Sequence, residues 1–182
     1  MKACPSKEME RIRQINEISL KGEIVIFGSD YMAEFPFYEL INRYQLECAV
    51  YNRSVPGLTV AGAEELLREY VLNLRPRKVF LAFGEEASES GQTVGQYRKL
   101  IRRIRAELPT AELFVLGLPG EENEAFNYQM ADFCEKNGIT YIALSSDRGS
   151  GEASYRAQFK QLSRFFRRKP LTMADAFAVA GE

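Results

Sequence analysis

Two residue types are missing from this sequence of 182 residues, which contains no histidine and no tryptophan. The missing histidine bears on function, because histidine is the side chain that most often exchanges protons near neutral pH. Its absence excludes an imidazole general base, Ser-His and Cys-His nucleophile pairs, and imidazole ligands for a metal. Any chemistry carried out by this chain must therefore use other groups.

A strong excess of positive charge and a long apolar run are also missing. The formal net charge is −1, whereas proteins specialised for nucleic acids or anionic membranes need a basic excess. No apolar run approaches the ~20 residues of a membrane-spanning helix, and residues 1–17 lack the apolar centre of a signal peptide. We therefore expect a cytoplasmic protein that binds neither nucleic acid nor a membrane.

Cysteine is scarce, with three residues, Cys4, Cys48 and Cys134, far apart in the sequence and without a CxxC pair. An odd number at such spacings favours reduced thiols over a disulfide framework. Cys48 lies in a predicted apolar strand and Cys134 on a predicted helix, so we interpret both as buried small hydrophobic residues.

What the sequence does contain is a regular alternation of apolar runs and amphipathic segments. The runs are nearly continuous in hydrophobicity, as expected for parallel strands covered on both faces. They span residues 23–28, 46–52, 78–84, 112–117 and 139–144. Helices are predicted over residues 4–20, 60–74, 93–108, 122–137 and 152–168.

This alternation predicts one domain over residues 1–182, in which an N-terminal helix within 1–21 precedes the first strand. The fold class is α/β, a three-layer α/β/α domain of the flavodoxin-like type, with a five-stranded parallel sheet in the order 2-1-3-4-5. In the helix over 93–108, Arg98, Lys99, Arg102, Arg103 and Arg105 fall largely outside the apolar stripe. We interpret them as a solvated outer face rather than a nucleic-acid patch.

The last segment, 171–182, has the pattern of a short helical extension. Thr172 is a predicted N-cap, and Met173, Ala176, Phe177 and Ala180 share one helical face. We expect that face to dock on the same domain or on a second subunit of a homo-oligomer.

Ligands of open parallel sheets bind beyond the carboxyl ends of the strands, so the segments that follow the strands are the candidates for a site.

Taken together, the segments that follow the strands resemble the SGNH (GDSL-type) hydrolase family over roughly residues 22 to 145. "FGSD" (27–30) resembles the first block, whose Gly-Asp-Ser turn presents a nucleophilic serine. "YNRSVPGLT" (51–59) resembles the second, whose later glycine gives an amide to the oxyanion hole. "RPRKVFLAFGEEA" (75–87) resembles the third, which ends in Gly-x-Asn-Asp.

The same resemblance implies that the catalytic groups are missing. Asp30 stands at the position of the nucleophilic serine, and Ser29 at that of the preceding aspartate. Gly57 matches the glycine of the second block, while Glu86 replaces the oxyanion-hole asparagine. The last block, Asp-x-x-His, falls near 145–155, where Asp147 is present without a histidine. We therefore assign no catalytic, cofactor-binding or metal-binding residue, and interpret Ser29 or Asp30 as a cap of the following helix or turn.

Three functions are compatible with this pattern. The first is an SGNH-like protein, inactive as a serine esterase, that binds a small molecule or a protein at the carboxyl edge of the sheet. The second is a hydrolase with carboxylate chemistry that uses Asp30, Glu85 and Glu86, with or without Mg²⁺. The third is a phosphate-binding or receiver-like flavodoxin-type domain, although no lysine follows the fifth strand. We expect no cofactor for the first of these.

Overall fold

The computed structural model describes residues 6–84, 92–145 and 151–167. Its five strands form one parallel sheet in the order β2-β1-β3-β4-β5, as the sequence predicts. The central strands β1 and β3 are paired over five residues, so that Phe27 lies opposite Leu81 and Gly28 opposite Ala82. The strand bounds are β1 (Ile24–Gly28), β2 (Val50–Asn52), β3 (Lys78–Ala82), β4 (Glu112–Leu116) and β5 (Thr140–Ile142).

Helices cover both faces of this sheet and complete a three-layer α/β/α architecture. Their bounds are α1 (Ser6–Ile18), α2 (Asp30–Ala33), α3 (Phe37–Arg43), α4 (Val60–Tyr70), α5 (Gln92–Glu107), α6 (Glu124–Lys136) and α7 (Glu152–Ser163). Short 3₁₀ turns at Leu72–Leu74 and Glu121–Asn123 follow α4 and precede α6. In the described ranges, no helix combines the length and the apolar character needed to cross a membrane.

The sheet separates two hydrophobic cores, because successive side chains of a strand point to opposite faces. Val25 and Phe27 of β1 pack with residues of α4, α5 and α6. Ile24 and Ile26 of the same strand pack with residues of α2, α3 and α7. All four side chains are completely buried, which explains why the strand reads as an unbroken apolar run.

The amphipathic pattern of α5 is confirmed, since Tyr97, Leu100, Ile101 and Ile104 are buried. Four of its basic residues are exposed and Arg103 is half-buried. Some of these cations also make contacts with neighbouring helices. Arg103 Nη1 donates a hydrogen bond of 2.9 Å to the carbonyl of Glu64, and the Arg98 guanidinium lies 5.9 Å from the centre of the Phe133 ring.

The N-terminal helix is fixed to the domain by a buried polar contact. Asn16 Nδ2 donates a hydrogen bond of 2.6 Å to the carbonyl of Glu69 in α4. The Asn16 Oδ1 atom accepts one of 3.0 Å from Nη2 of Arg53, which is 8% exposed. Burial lowers the pKa of the Arg53 guanidinium from its usual value. This polar contact therefore joins α1 to both α4 and the segment after β2.

The segment between β1 and β2 differs from the prediction. The second strand begins at Val50 rather than at residue 46, because the amides of Leu46 and Cys48 bond to the carbonyls of Ile41 and Leu46 instead of to β1. Cys48 therefore lies before the strand and is half-buried, whereas Cys134 is buried as predicted. Two helices, α2 and α3, fill the connection. Cys4 and the segment 171–182 lie outside the described residues.

Candidate functional site at the carboxyl edge of the sheet

The turn after β1 is held against β3 by a close approach of the two backbones. A Cβ atom added to Gly28 would lie 2.5 Å from the carbonyl oxygen of Ala82. The amide of the next residue, Ser29, donates a hydrogen bond of 3.0 Å to that same oxygen. This contact means that only glycine fits at position 28. Because β1 ends there, the side chains that follow, beginning with Ser29, lie at the carboxyl edge of the sheet.

Ser29 is 3% exposed and occupies the N-cap position of α2, but its side chain makes no capping hydrogen bond. Of the two residues expected to cap the following helix or turn, Ser29 therefore does not cap α2, and Asp30 binds the amide of Gly57 in the neighbouring loop. The Ser29 hydroxyl instead donates a hydrogen bond of 2.9 Å to Oδ2 of Asp30. The carboxylate is the stronger acceptor within reach, since a hydrogen bond to an ionised group is stronger than one between neutral groups.

The loop after β2 is joined to this turn and to α2 by two hydrogen bonds, and a third bond lies within the loop. Asn52 Nδ2 donates to the carbonyl of Met32 in α2 at 2.7 Å, and Asn52 Oδ1 accepts from the amide of Ser54 at 3.1 Å. The amide of Val55 donates to the carbonyl of Gly28 at 3.0 Å. These bonds fix the position of the loop relative to β1 before it enters α4.

The same loop places the amide of Gly57 on the carboxylate of Asp30. The Gly57 nitrogen lies 3.1 Å from both Oδ1 and Oδ2 of Asp30. Gly57 has a φ of +71°, a conformation that glycine adopts without strain. Two residues later Thr59 is the N-cap of α4, and its Oγ1 accepts a hydrogen bond of 3.1 Å from the amide of Gly62.

The contact with Asp30 occupies the hydrogen-bond donor of the Gly57 amide. A donor in an oxyanion hole lies about 2.7–3.1 Å from the position that the oxyanion will take. Both Asp30 oxygens lie at that distance from the Gly57 nitrogen. The donor that the family resemblance assigns to the oxyanion is thus already bound to a carboxylate of the same chain.

A second set of polar contacts joins α2 to α7 near the end of β5. The hydroxyl of Tyr31 donates a hydrogen bond to Oε1 of Gln158, which is completely buried. Gln158 Nε2 donates to the carbonyl of Ser145 at 3.2 Å, and the amide of Ser145 donates to Oε1 of Gln161 at 3.2 Å. The sequence motifs do not predict these contacts, although a glutamine within the apolar stripe formed by Tyr155, Phe159 and Leu162 indicates a buried polar contact.

The structure brings Ser29, Asp30 and Gly57 into direct contact, as their positions at the strand ends predict. Glu85, Glu86 and Asp147 lie outside the described residues. Within the parts of the chain that are described, no group of three or more cysteine, aspartate or glutamate side chains is arranged to hold a metal ion.

No protein-family model matches this sequence, and no curated protein is detectably similar to it in sequence. Solved structures do match. A GDSL-like lipase from Bacteroides thetaiotaomicron VPI-5482 is 14% identical with a TM-score of 0.68, over 86% of this chain and 97% of the lipase. A protein from Bacteroides fragilis NCTC 9343 assigned as an acylhydrolase is 13% identical with a TM-score of 0.69, over 91% of this chain and 100% of its own.

An acetylxylan esterase from Geobacillus stearothermophilus, solved as a catalytic mutant, also matches. It is 12% identical with a TM-score of 0.63, over 83% of this chain and 97% of the esterase. Likenesses at such low identity establish the fold alone. The chain has the SGNH-hydrolase fold.

Proposed function

We propose that this protein is inactive as a serine esterase and acts by binding a small molecule or a protein at the carboxyl edge of the sheet, where Asp30 meets Gly57. The observation that carries the proposal is the pair of 3.1 Å contacts between the Gly57 amide and the Asp30 carboxylate. The lack of any histidine in the sequence supports it independently. A fold that serves hydrolysis in some proteins can serve binding in others, because function resides in the site.

The magnitudes favour inactivity over a weakened enzyme. Losing the serine or the histidine of a catalytic triad costs a factor on the order of 10⁶ in rate. Losing one oxyanion donor costs about 3–4 kcal/mol in transition-state stabilisation. A carboxylate about 4 Å from a developing oxyanion adds repulsion of about 4 kcal/mol at an effective dielectric constant of 20. Asp30 and Glu86 bring such carboxylates to positions where the family has neutral groups.

The charge of Asp30 also restricts the ligand. An anionic group placed at the Gly57 amide would be repelled by the carboxylate already bound there. We therefore propose a ligand that is neutral or cationic at this position. The names of the structural neighbours, which include a lipase and an acetylxylan esterase, favour an uncharged ester or an acetylated carbohydrate among small molecules.

Esterase assays test the inactivity directly. The purified protein should hydrolyse short-chain nitrophenyl esters no faster than buffer, and a fluorophosphonate should not label Ser29. Asp30→Ser should create no activity, because the base and a second donor would still be missing. Saturable hydrolysis that disappears in Ser29→Ala would overturn the proposal, since it would show that another group acts as the base.

Thermal-shift screening tests the binding role. A ligand at 100 times its Kd stabilises the folded state by about 2.7 kcal/mol, which is a measurable shift. The shift should be lost in Asp30→Ala and retained in Glu34→Ala, which removes an exposed carboxylate from the end of α2. A ligand that stabilises both variants equally binds elsewhere and contradicts this site.

A further inference from the structure

A groove of about 390 Å³ lies at the amino edge of the sheet, opposite to the edge that carries Asp30. One wall is the segment before β2, with Leu46 and Cys48, and the other is the turn after α7, with Phe166 and Arg167. Cys48 is half-buried in this wall. The groove therefore has apolar walls, and the last described residue of the chain, Arg167, lies at its edge.

The turn after α7 is fixed at this edge by two basic side chains, Arg77 just before β3 and Lys78 at its first position. Lys78 Nζ donates hydrogen bonds of 2.7 Å and 3.1 Å to the carbonyls of Phe165 and Arg167. Arg77 Nη2 donates one of 3.2 Å to the carbonyl of Phe166. Cations suit the carbonyl end of a helix. The chain consequently leaves Arg167 at the wall of the groove, and the sequence continues from 168 to 182.

Arg77 also has donors that are not used by the described residues. Its Nε and Nη1 atoms are buried and make no hydrogen bond, although Nη2 lies 3.7 Å from a carboxylate oxygen of Glu23. Buried donors in folded proteins are nearly always paired. A hydrogen-bond acceptor beside Phe166 would satisfy these two donors of Arg77. Carbonyl oxygens of the residues after Arg167 are candidates, because the chain continues from this point.

We propose that the segment 168–182 of the same chain folds back along this groove. The apolar stripe of Met173, Ala176, Phe177 and Ala180 then packs on Leu46 and Phe166 and covers Cys48. The segment begins at the groove wall, so its effective concentration there exceeds that of a second copy at ordinary protein concentrations. The groove and its occupant are remote from Asp30, so the inference does not rest on the proposed function.

Alkylation of Cys48 tests the proposal in a Cys4→Ser background, with labelled peptides identified by mass spectrometry. Deleting 171–182, or introducing Phe177→Asp, should raise the labelling rate of Cys48 about tenfold, the factor for a docking equilibrium of about 1.4 kcal/mol. Ala178→Asp, on the opposite helical face, should leave the rate unchanged. Buried Cys134 should stay unreactive in every variant, which shows that the domain remains folded.

A disulfide test uses the folded full chain. In the same background, Ala176→Cys, which keeps Phe177, should form an intramolecular disulfide with Cys48 when oxidised glutathione accepts the two electrons, and Ala178→Cys should not. Equal crosslinking of both variants, or equal labelling of Cys48 with and without 171–182, would overturn the proposal. Protection of Cys48 that grows with protein concentration and with a doubled solution mass would also overturn it, and would assign the groove to a second copy.

Discussion

At the scale of single residues, the two glycines of the candidate site are required for different reasons. Gly28 is limited by contact, because an added Cβ would lie 2.5 Å from the Ala82 carbonyl oxygen. Gly57 is limited by backbone conformation alone, because its φ is +71° and no atom lies within 4 Å of an added Cβ. The two positions should therefore respond differently to the same substitutions.

We predict that Gly57→Ala lowers the free energy of unfolding by about 1–2 kcal/mol, the cost of a left-handed conformation for a residue with a Cβ. Gly57→Asn should lose clearly less, since asparagine tolerates that conformation. Gly28→Ala should lose about 1–3 kcal/mol or more through overpacking, and Gly28→Asn should not recover it. Urea unfolding of the four variants measures these differences. Equal losses for Gly57→Ala and Gly57→Asn would contradict the conformational argument.

A buried thiol makes stability depend on pH in the alkaline range. Burial raises the pKa of Cys134 from 9.0 to about 11, so the folded state keeps its proton where the unfolded state has lost it. This contribution to stability is complete below pH 9 and is lost as the pH rises from 9 to 11. We predict a smaller decline over that range for Cys134→Ala than for the natural protein, measured by urea unfolding at several pH values. Parallel declines would show that other groups dominate.

The positions of the site residues could be predicted from the sequence, while their bonds could not. Asp30 and Gly57 follow neighbouring parallel strands, so the topology brings them to one edge. The pairing of Asp30 with the Gly57 amide depends on the path of the loop that Asn52 and Val55 fix. That path follows from tertiary contacts, which no local pattern of residue types contains.

At the scale of secondary-structure elements, one buried polar side chain contributes to the attachment of α1, whose Met9 and Ile12 also pack against the core. Asn16 is 5% exposed and bonds both to the Glu69 carbonyl and to the guanidinium of Arg53. We predict that Asn16→Ala lowers the free energy of unfolding by about 1–3 kcal/mol, because it leaves a buried acceptor and a buried cation poorly satisfied. Denaturant titration measures the loss.

The matched control lies one turn earlier in the same helix. Arg13 forms ion pairs with Glu10 and Glu69, but its side chain is 56% exposed, and exposed pairs contribute about 0–1 kcal/mol. Arg13→Ala should therefore cost less than Asn16→Ala. A larger loss for Arg13→Ala would mean that the charged surface, rather than the buried amide, holds α1 in place.

Helices and strands with a clear apolar pattern were predicted well. Elements whose bounds depend on competing hydrogen bonds were not. The buried faces of α5 and β3 follow directly from their apolar patterns. The edge strand β2 is shorter than its apolar run because Leu46 and Cys48 bond locally to α3 and its loop. The separation of α2 from α3 follows Pro36, which occupies the N-cap position of α3. An apolar pattern cannot distinguish a longer strand from a local turn, or one helix from two, since each of these structures can bury the same side chains.

At the scale of the whole molecule, charge is balanced overall although α5 carries a basic face. The net charge is −1, and Arg103 and Arg105 of α5 donate to the carbonyls of Glu64 and Asn137. We predict no binding to duplex DNA or single-stranded RNA at 150 mM salt, by fluorescence anisotropy, because phosphate binding requires a clustered basic excess. Binding that weakens on replacing Arg98 and Arg102 by glutamine would contradict this.

The hydrogen bonds between the Gly57 amide and the Asp30 carboxylate affect how readily mutation could give this chain esterase activity. A path to a serine esterase would need a serine at 30, a histidine near Asp147 and a neutral donor at 86. The first step, Asp30→Ser, removes the carboxylate that binds the turn to the loop, and on the function proposed above it creates no esterase. Under the proposed inactivity this step lowers stability without a functional return, so selection acting on one substitution at a time would tend to keep Asp30.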